Sequence, residues 1–189
     1  MIEPLAWYST APPEARKRLV HHLSQREKNQ FRFQWPVFAR PEQLAPTGEW
    51  RIWMIMAGRG FGKTRTGAEW VRMVADCHPA ARIALVSSSL AEARSVMVEG
   101  ESGLMAIYPP DERPHFEPSL HRIRFASGAQ AQLFSAAEPD SLRGPQHSHA
   151  CRPSTEGIFC KSGLFHLGRA FTTCGRRLVE RAPGKRVGW

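Results

Sequence analysis

Apolar positions along the chain fall into short blocks punctuated by glycine and proline. In "PPEARKRLVHHLSQREKNQ" (12–30), two prolines suit a first turn, and Leu19, Val20 and Leu23 give a narrow apolar stripe, so a helix is expected. The aromatic stretch "FRFQWPVFARPEQLAPTGEW" (31–50), with prolines at 36, 41 and 46, predicts a packed irregular segment. "RIWMIMA" (51–57) has strand length and is broken by Gly58, Gly60 and Gly62. "KTRTGAEWVRMVADC" (63–77) then places Ala68, Val71, Met73 and Ala75 on a rough helical period. "ARIALVSSS" (81–89) reads as a second buried strand, and "LAEARSVMVEG" (90–100) as a helix ending at Gly100. "HRIRFASGAQAQLFSA" (121–136) alternates around Ser127-Gly128 and predicts a hairpin. Strand, glycine loop, helix, strand, helix is the order of an α/β unit built on a parallel sheet with flanking helices. Beyond about residue 150 apolar residues come in pairs without a sustained period, and the C-terminal tail is expected to be irregular. Three parts follow: an N-terminal helical segment (1–34), an α/β body (35–150) and a basic tail (151–189).

Composition changes this picture in one place. Apolar content of 42% and charged content of 23% are ordinary for a folded domain. No apolar run approaches the roughly 20 residues that span a bilayer, and the N-terminus has no basic stretch leading into an apolar core, so a cytoplasmic protein with no membrane partner is expected. Cysteines at 77, 151, 160 and 174 have neither disulfide-framework nor zinc-ribbon spacing. The net charge of +9 points to a polyanionic partner, but +6 of it belongs to residues 151–189.

The chemistry concentrates in "MAGRGFGKTRTGAEWV" (56–71). Ala57-x4-Gly62-Lys63-Thr64 fits a phosphate-binding loop with alanine in the first glycine position. Glycines let backbone N–H groups turn inward around an anion, and a helix starting near Gly62 aims its positive end at it. In this pattern Ala57, Gly58, Arg59, Gly60, Phe61, Gly62, Lys63 and Thr64 form the cradle. Lys63 reaches the β- and γ-phosphates, the Thr64 hydroxyl holds Mg²⁺, and Arg59 is a loop cation near the γ-phosphate. The bland alternative is a glycine-rich turn that happens to carry Lys-Thr; the flanking strand and helix weigh against it.

With these residues in view, the chain resembles the large terminase subunit of tailed phages and related gene-transfer particles. The likeness rests on "PEQLAPTGEWRIWMIMAGRGFGKTRTGAEWV", "ARSVMVEGESGL" (93–104) and "SLHRIRFASGAQAQLFSAAEPDSLRGPQ" (119–146), in that order, and spans about residues 35–147. It implies a P-loop NTPase-type fold and an ATP- and Mg²⁺-dependent motor that threads double-stranded DNA into a procapsid. It also implies portal and small terminase subunit partners and a nuclease domain that follows the ATPase. The resemblance places Gln43 where the family tends to put a glutamine for the adenine edge, though the same residue suits an ordinary surface position. Trp35 is a candidate to stack on the base or to pack in the core. Ser87 and Ser88 are candidates for the nucleotide edge of the sheet, or simply turn residues.

The resemblance then stops. Hydrolysis needs a carboxylate for Mg²⁺ and a second for the attacking water; the family supplies them as Asp-Glu closing an apolar strand soon after "LRGPQ". Here "HSHACRPSTEGIFCKSG" follows, and the only later acids are Glu156 and Glu180. Asp111-Glu112 reads as a turn, and Glu138 and Asp140 as a solvated loop. The sheet is therefore expected to be incomplete, its product aggregation-prone, and hydrolysis deficient. A reading-frame shift near codon 150, or alternatively a genuine separate C-terminus, explains the break. Two other functions stay open: a small nucleotide kinase using Arg143 as a lid, and a DNA-binding module using the basic tail. A zinc site from His147, His149, Cys151 and Cys160 is the weakest candidate.

Overall fold

The computed structural model describes residues 11–143, 145–153 and 157–162. The expected single N-terminal helix is two: α1 (Pro13–His22) and α2 (Gln25–Phe31). Leu23 is extended between them, and Ser24 starts the second with a capping box, its hydroxyl accepting from the Glu27 N–H while the Glu27 carboxylate accepts from the Ser24 N–H. Residues 31–50 include the short helix α3 (Trp35–Phe38) and a 3-10 turn (Pro41–Gln43).

The body is a seven-stranded sheet in the order β1-β7-β6-β2-β5-β4-β3. The strands are β1 (Ile52–Met56), β2 (Arg82–Ser87), β3 (His115–Glu117), β4 (Arg122–Arg124), β5 (Gln130–Ser135), β6 (His149–Pro153) and β7 (Gly157–Ser162). The helices after β1 and β2 are α4 (Lys63–Cys77) and α5 (Leu90–Glu92), the latter continuing as a π-helical turn over Ala93–Val98. A parallel sheet was expected; the observed one is mixed. β2 pairs parallel with β5 and β6, whereas β1–β7, β6–β7, β4–β5 and β3–β4 are antiparallel. The hairpin predicted around Gly128, whose φ is +102°, is β4–β5.

The largest departure lies in the tail. Residues expected to be irregular form the β6–β7 hairpin, which inserts between β1 and β2. No apolar run announces β6, because only alternate residues are buried: His149 and Cys151 are covered while Arg152 is exposed. Ile158 and Cys160 of β7 are completely buried and join the core of Trp53, Ile55, Val71, Val74 and Leu85 beneath α4. Gly67 of α4 gives the room: a Cβ there would come within 2.3 Å of Ile158 Cδ1 and 3.1 Å of Cys151 Sγ. The sheet's other face leaves Ile52, Met54, Met56 and Phe159 exposed.

His149 carries a pH consequence. It is 2% exposed, stacks on His78 with ring centroids 5.8 Å apart, and lies 6.0 Å from the Trp70 ring. Burial first, and the His78 charge second, push it from its ordinary 6.5 down to about 4. Between those values the unfolded chain binds a proton that the folded chain refuses, so stability falls as pH drops from 6.5 towards 4. Urea midpoints at pH 7.5 and 4.5 should show a loss of about 2 kcal/mol, allowing for solvent screening, that is reduced in His149→Leu. Burial lowers His78 and His147 in the same direction. An equal acid loss in His149→Leu would refute this assignment.

Candidate functional site

β1 ends at Met56, and the chain turns through Ala57–Gly62 into α4. Gly60 (φ +78°) and Gly62 (φ +87°) are both left-handed, a conformation that costs an L-residue roughly 1–2 kcal/mol, which is why glycine stands at these corners. Gly62 caps α4, leaving the first N–H groups of a 15-residue helix turned toward the loop. Lys63 folds back into it: its Nζ donates to Ala57 O at 2.7 Å and to Gly58 O at 2.8 Å. Its side chain is buried, and no described carboxylate pairs with it. Among the described residues, this ammonium is held only by carbonyls of its own loop. Arg59 is exposed on the same loop.

The remaining sequence candidates divide. Gln43 is buried against the loop, its amide donating to Phe61 O and Thr66 Oγ1. Trp35 packs under the Arg65 guanidinium, 5.8 Å from the ring centroid. Thr64 lines a crevice of about 10 Å³ with Gly67, Leu85, Cys151 and Pro153. Where the resemblance implies a carboxylate-bearing strand that the sequence lacks, the chain forms β6, which ends at Pro153 and contains no acid. Glu156 and Glu180 lie outside the described residues.

The other carboxylates are too far along the sheet. Glu138 and Asp140 follow β5, four strands from β1, or about 19 Å at 4.8 Å per strand. Asp140 pairs with Arg143 at 3.2 Å, both exposed, so the candidate lid residue also sits far from the loop. Ser87 and Ser88 do reach the carboxyl edge of the sheet, but both hydroxyls donate to Glu92, which also accepts from the Ser88 N–H and is held below the usual carboxylate range by those bonds. Asp111 and Glu112 lie in a turn, as expected.

The zinc candidates are not gathered. Cys151 and Cys160 face each other across β6–β7 with sulfurs 3.6 Å apart, His147 rests on Phe134, and His149 on His78. Among the described residues no group of three or more His, Cys, Asp or Glu forms a metal site. Cys77 is disulfide-bonded, which the cysteine spacing did not suggest. Of the basic tail, the described Arg152 and Lys161 are exposed, and the other tail cations lie outside the described residues.

Sequence reasoning missed the charges that brace the loop's helix. Arg65–Glu69–Arg72–Asp76 runs along α4, with Arg65–Glu69 at 2.8 Å, Arg72–Glu69 at 3.9 Å and Arg72–Asp76 at 3.7 Å. The i,i+3 and i,i+4 spacing was the available signal. It also missed Arg40, whose guanidinium covers the Phe61 ring at 4.7 Å and donates to Phe61 O.

A family model for the N-terminal part of the terminase large subunit, T4likevirus type, matches residues 54–151, just over half of the chain. The chain belongs to the terminase large-subunit family. The match begins inside β1, takes in the whole glycine loop and α4, and ends within β6. No curated protein and no solved structure matches this terminase chain. Among its described residues no helix is long and apolar enough to cross a membrane.

Proposed function

We propose that this terminase chain contributes the nucleotide-binding part of a DNA-packaging motor, with a P-loop of the NTPase type that takes Mg²⁺-ATP. The observation that carries this reading is Lys63, a buried cation whose only hydrogen-bond partners among the described residues are the carbonyls of its own loop. Those carbonyls hold the ammonium in place until a better acceptor arrives, and a polyphosphate offers ionised oxygens at the same spot. The left-handed glycines and the start of α4 suit the anion as well. When ATP is bound, Lys63 would contact its β- and γ-phosphates, Thr64 would take the metal, and Arg59 would lie near the terminal phosphate. ATP supplies the phosphoanhydride whose cleavage drives translocation in such a motor. Family membership supports double-stranded DNA, the portal and a small terminase subunit as the partners of that motor.

The same geometry argues that the chain does not turn over. The crevice that Thr64 lines has no carboxylate among its residues, and the nearest described acids of the sheet edge follow β2 and β5. Steady-state phosphate release by the purified chain should be indistinguishable from a buffer control. A motor-like rate of about 1 s⁻¹ or faster would contradict this.

A further inference from the structure

We infer that Gln43 is a positioning residue that latches the phosphate loop and takes no part in reading the nucleotide base. The inference rests on the reading of that loop as a polyphosphate site. To read an adenine edge, an amide must both donate and accept. Here both Gln43 N–H groups are spent, on Phe61 O at 2.9 Å and Thr66 Oγ1 at 3.2 Å. Its Oε1 accepts from the Arg40 N–H at 3.0 Å, and the residue is 5% exposed. Turning the amide toward a base would give up all three bonds, one of them to the buried Thr66 hydroxyl.

The network does something specific to the loop. Thr66 Oγ1, which accepts from Gln43, donates in turn to Gly62 O at 3.0 Å. Arg40 Nη2 adds a second donor to Phe61 O at 3.3 Å. In a trans peptide the carbonyl and the following N–H point opposite ways. Pinning Phe61 O toward Gln43 therefore sends the Gly62 N–H away from Gln43. The fit leaves no space: a Cβ on Gly62 would lie 2.9 Å from Gln43 Nε2. The 3-10 turn Pro41–Gln43 thus holds the last corner of the loop and the first turn of α4 together, whatever base the ligand carries.

The test is equilibrium binding of Mg²⁺-ATP, Mg²⁺-GTP and inorganic tripolyphosphate to the full chain, with melting curves recorded alongside. Gln43→Met keeps the shape and removes the donors; Thr66→Val cuts the same network from inside α4. Gln43→Met should weaken all three ligands by the same factor, about tenfold. Thr66→Val should also weaken all three, and the double variant should bind within about twofold of Gln43→Met. A loss confined to ATP, with GTP and tripolyphosphate unchanged, would show that Gln43 reads the base and overturn the inference. Unchanged binding in both single variants would overturn it too. Absence of tripolyphosphate and nucleotide binding in the wild-type chain would instead remove the phosphate-site reading, and the latch with it.

Discussion

Ile158→Ala is expected to destabilise the chain by about 2–5 kcal/mol, a large share of the 5–15 kcal/mol typical of a domain. Ile158 is fully buried in β7, opposite Ile55 of β1 and under Gly67 of α4. Truncation to alanine removes three buried carbons and leaves a cavity between sheet and helix, the costly kind of core change. The effect should reach the loop, because β7 is the strand partner of β1 among the described residues, and β1 delivers the chain into Ala57–Gly62. Urea midpoints of wild type and variant at one pH measure it. A change below about 0.5 kcal/mol is what a solvent-exposed, irregular tail would give, and would contradict the seated hairpin.

Arg72→Met is expected to cost about 3–5 kcal/mol at neutral pH. The Arg72 guanidinium is nearly buried, donates to Ile107 O at 2.8 Å and Phe33 O at 3.2 Å, and lies 4.7 Å over the Tyr108 ring. It ties the segment before the sheet, the helix α4 and the chain near Tyr108 into one unit. It also faces Glu69, whose carboxyl is raised above 4.5 by burial, against the opposing pull of Arg65 and Arg72. A raised folded value means that the folded state holds its proton longer. Stability from this group is therefore present below 4.5 and is lost as pH rises through the folded value. Removing Arg72 withdraws one of the two cations that oppose the raise. The difference between Arg72→Met and wild type should then be larger at pH 7.5 than at acid pH, because protonation of Glu69 removes its attraction to Arg72. A pH-independent difference would mean that only the lost carbonyl contacts and ring stacking matter.

The legible parts of this fold were those with an uninterrupted local signal. Residues 63–77 carry a helical period and a glycine start, and α4 follows it. "ARIALVSSS" is nearly continuous in apolar character because β2 lies mid-sheet with both faces covered, and Ser127-Gly128 marked the β4–β5 turn because only glycine readily takes φ +102° there. The β6–β7 hairpin was illegible for a physical reason. β6 buries a histidine and a cysteine on one face while its neighbours are alanine and arginine, so no apolar run exists to be read. Its antiparallel return beside β1 also breaks the parallel order that the strand–loop–helix succession implies. At the site, the turn from Ala57 to Gly62 between β1 and α4 was legible because it is a contiguous glycine-rich string. Gln43 was found by resemblance, but its engagement with Phe61 and Thr66 depends on how residues some twenty positions apart pack, which no local pattern encodes.

The measurement that tests the central claim most directly is titration of the full chain with Mg²⁺-ATP, wild type beside Lys63→Ala, with each protein's melting curve recorded. Among the described residues Lys63 donates only to loop carbonyls, so its removal should leave the fold within about 1–2 kcal/mol of wild type. Saturable binding to wild type that falls by at least tenfold in Lys63→Ala is the predicted result. Binding that Lys63→Ala leaves unchanged, or a folded wild-type chain that binds no ATP at millimolar concentration, would contradict the phosphate loop as the functional site of this terminase chain.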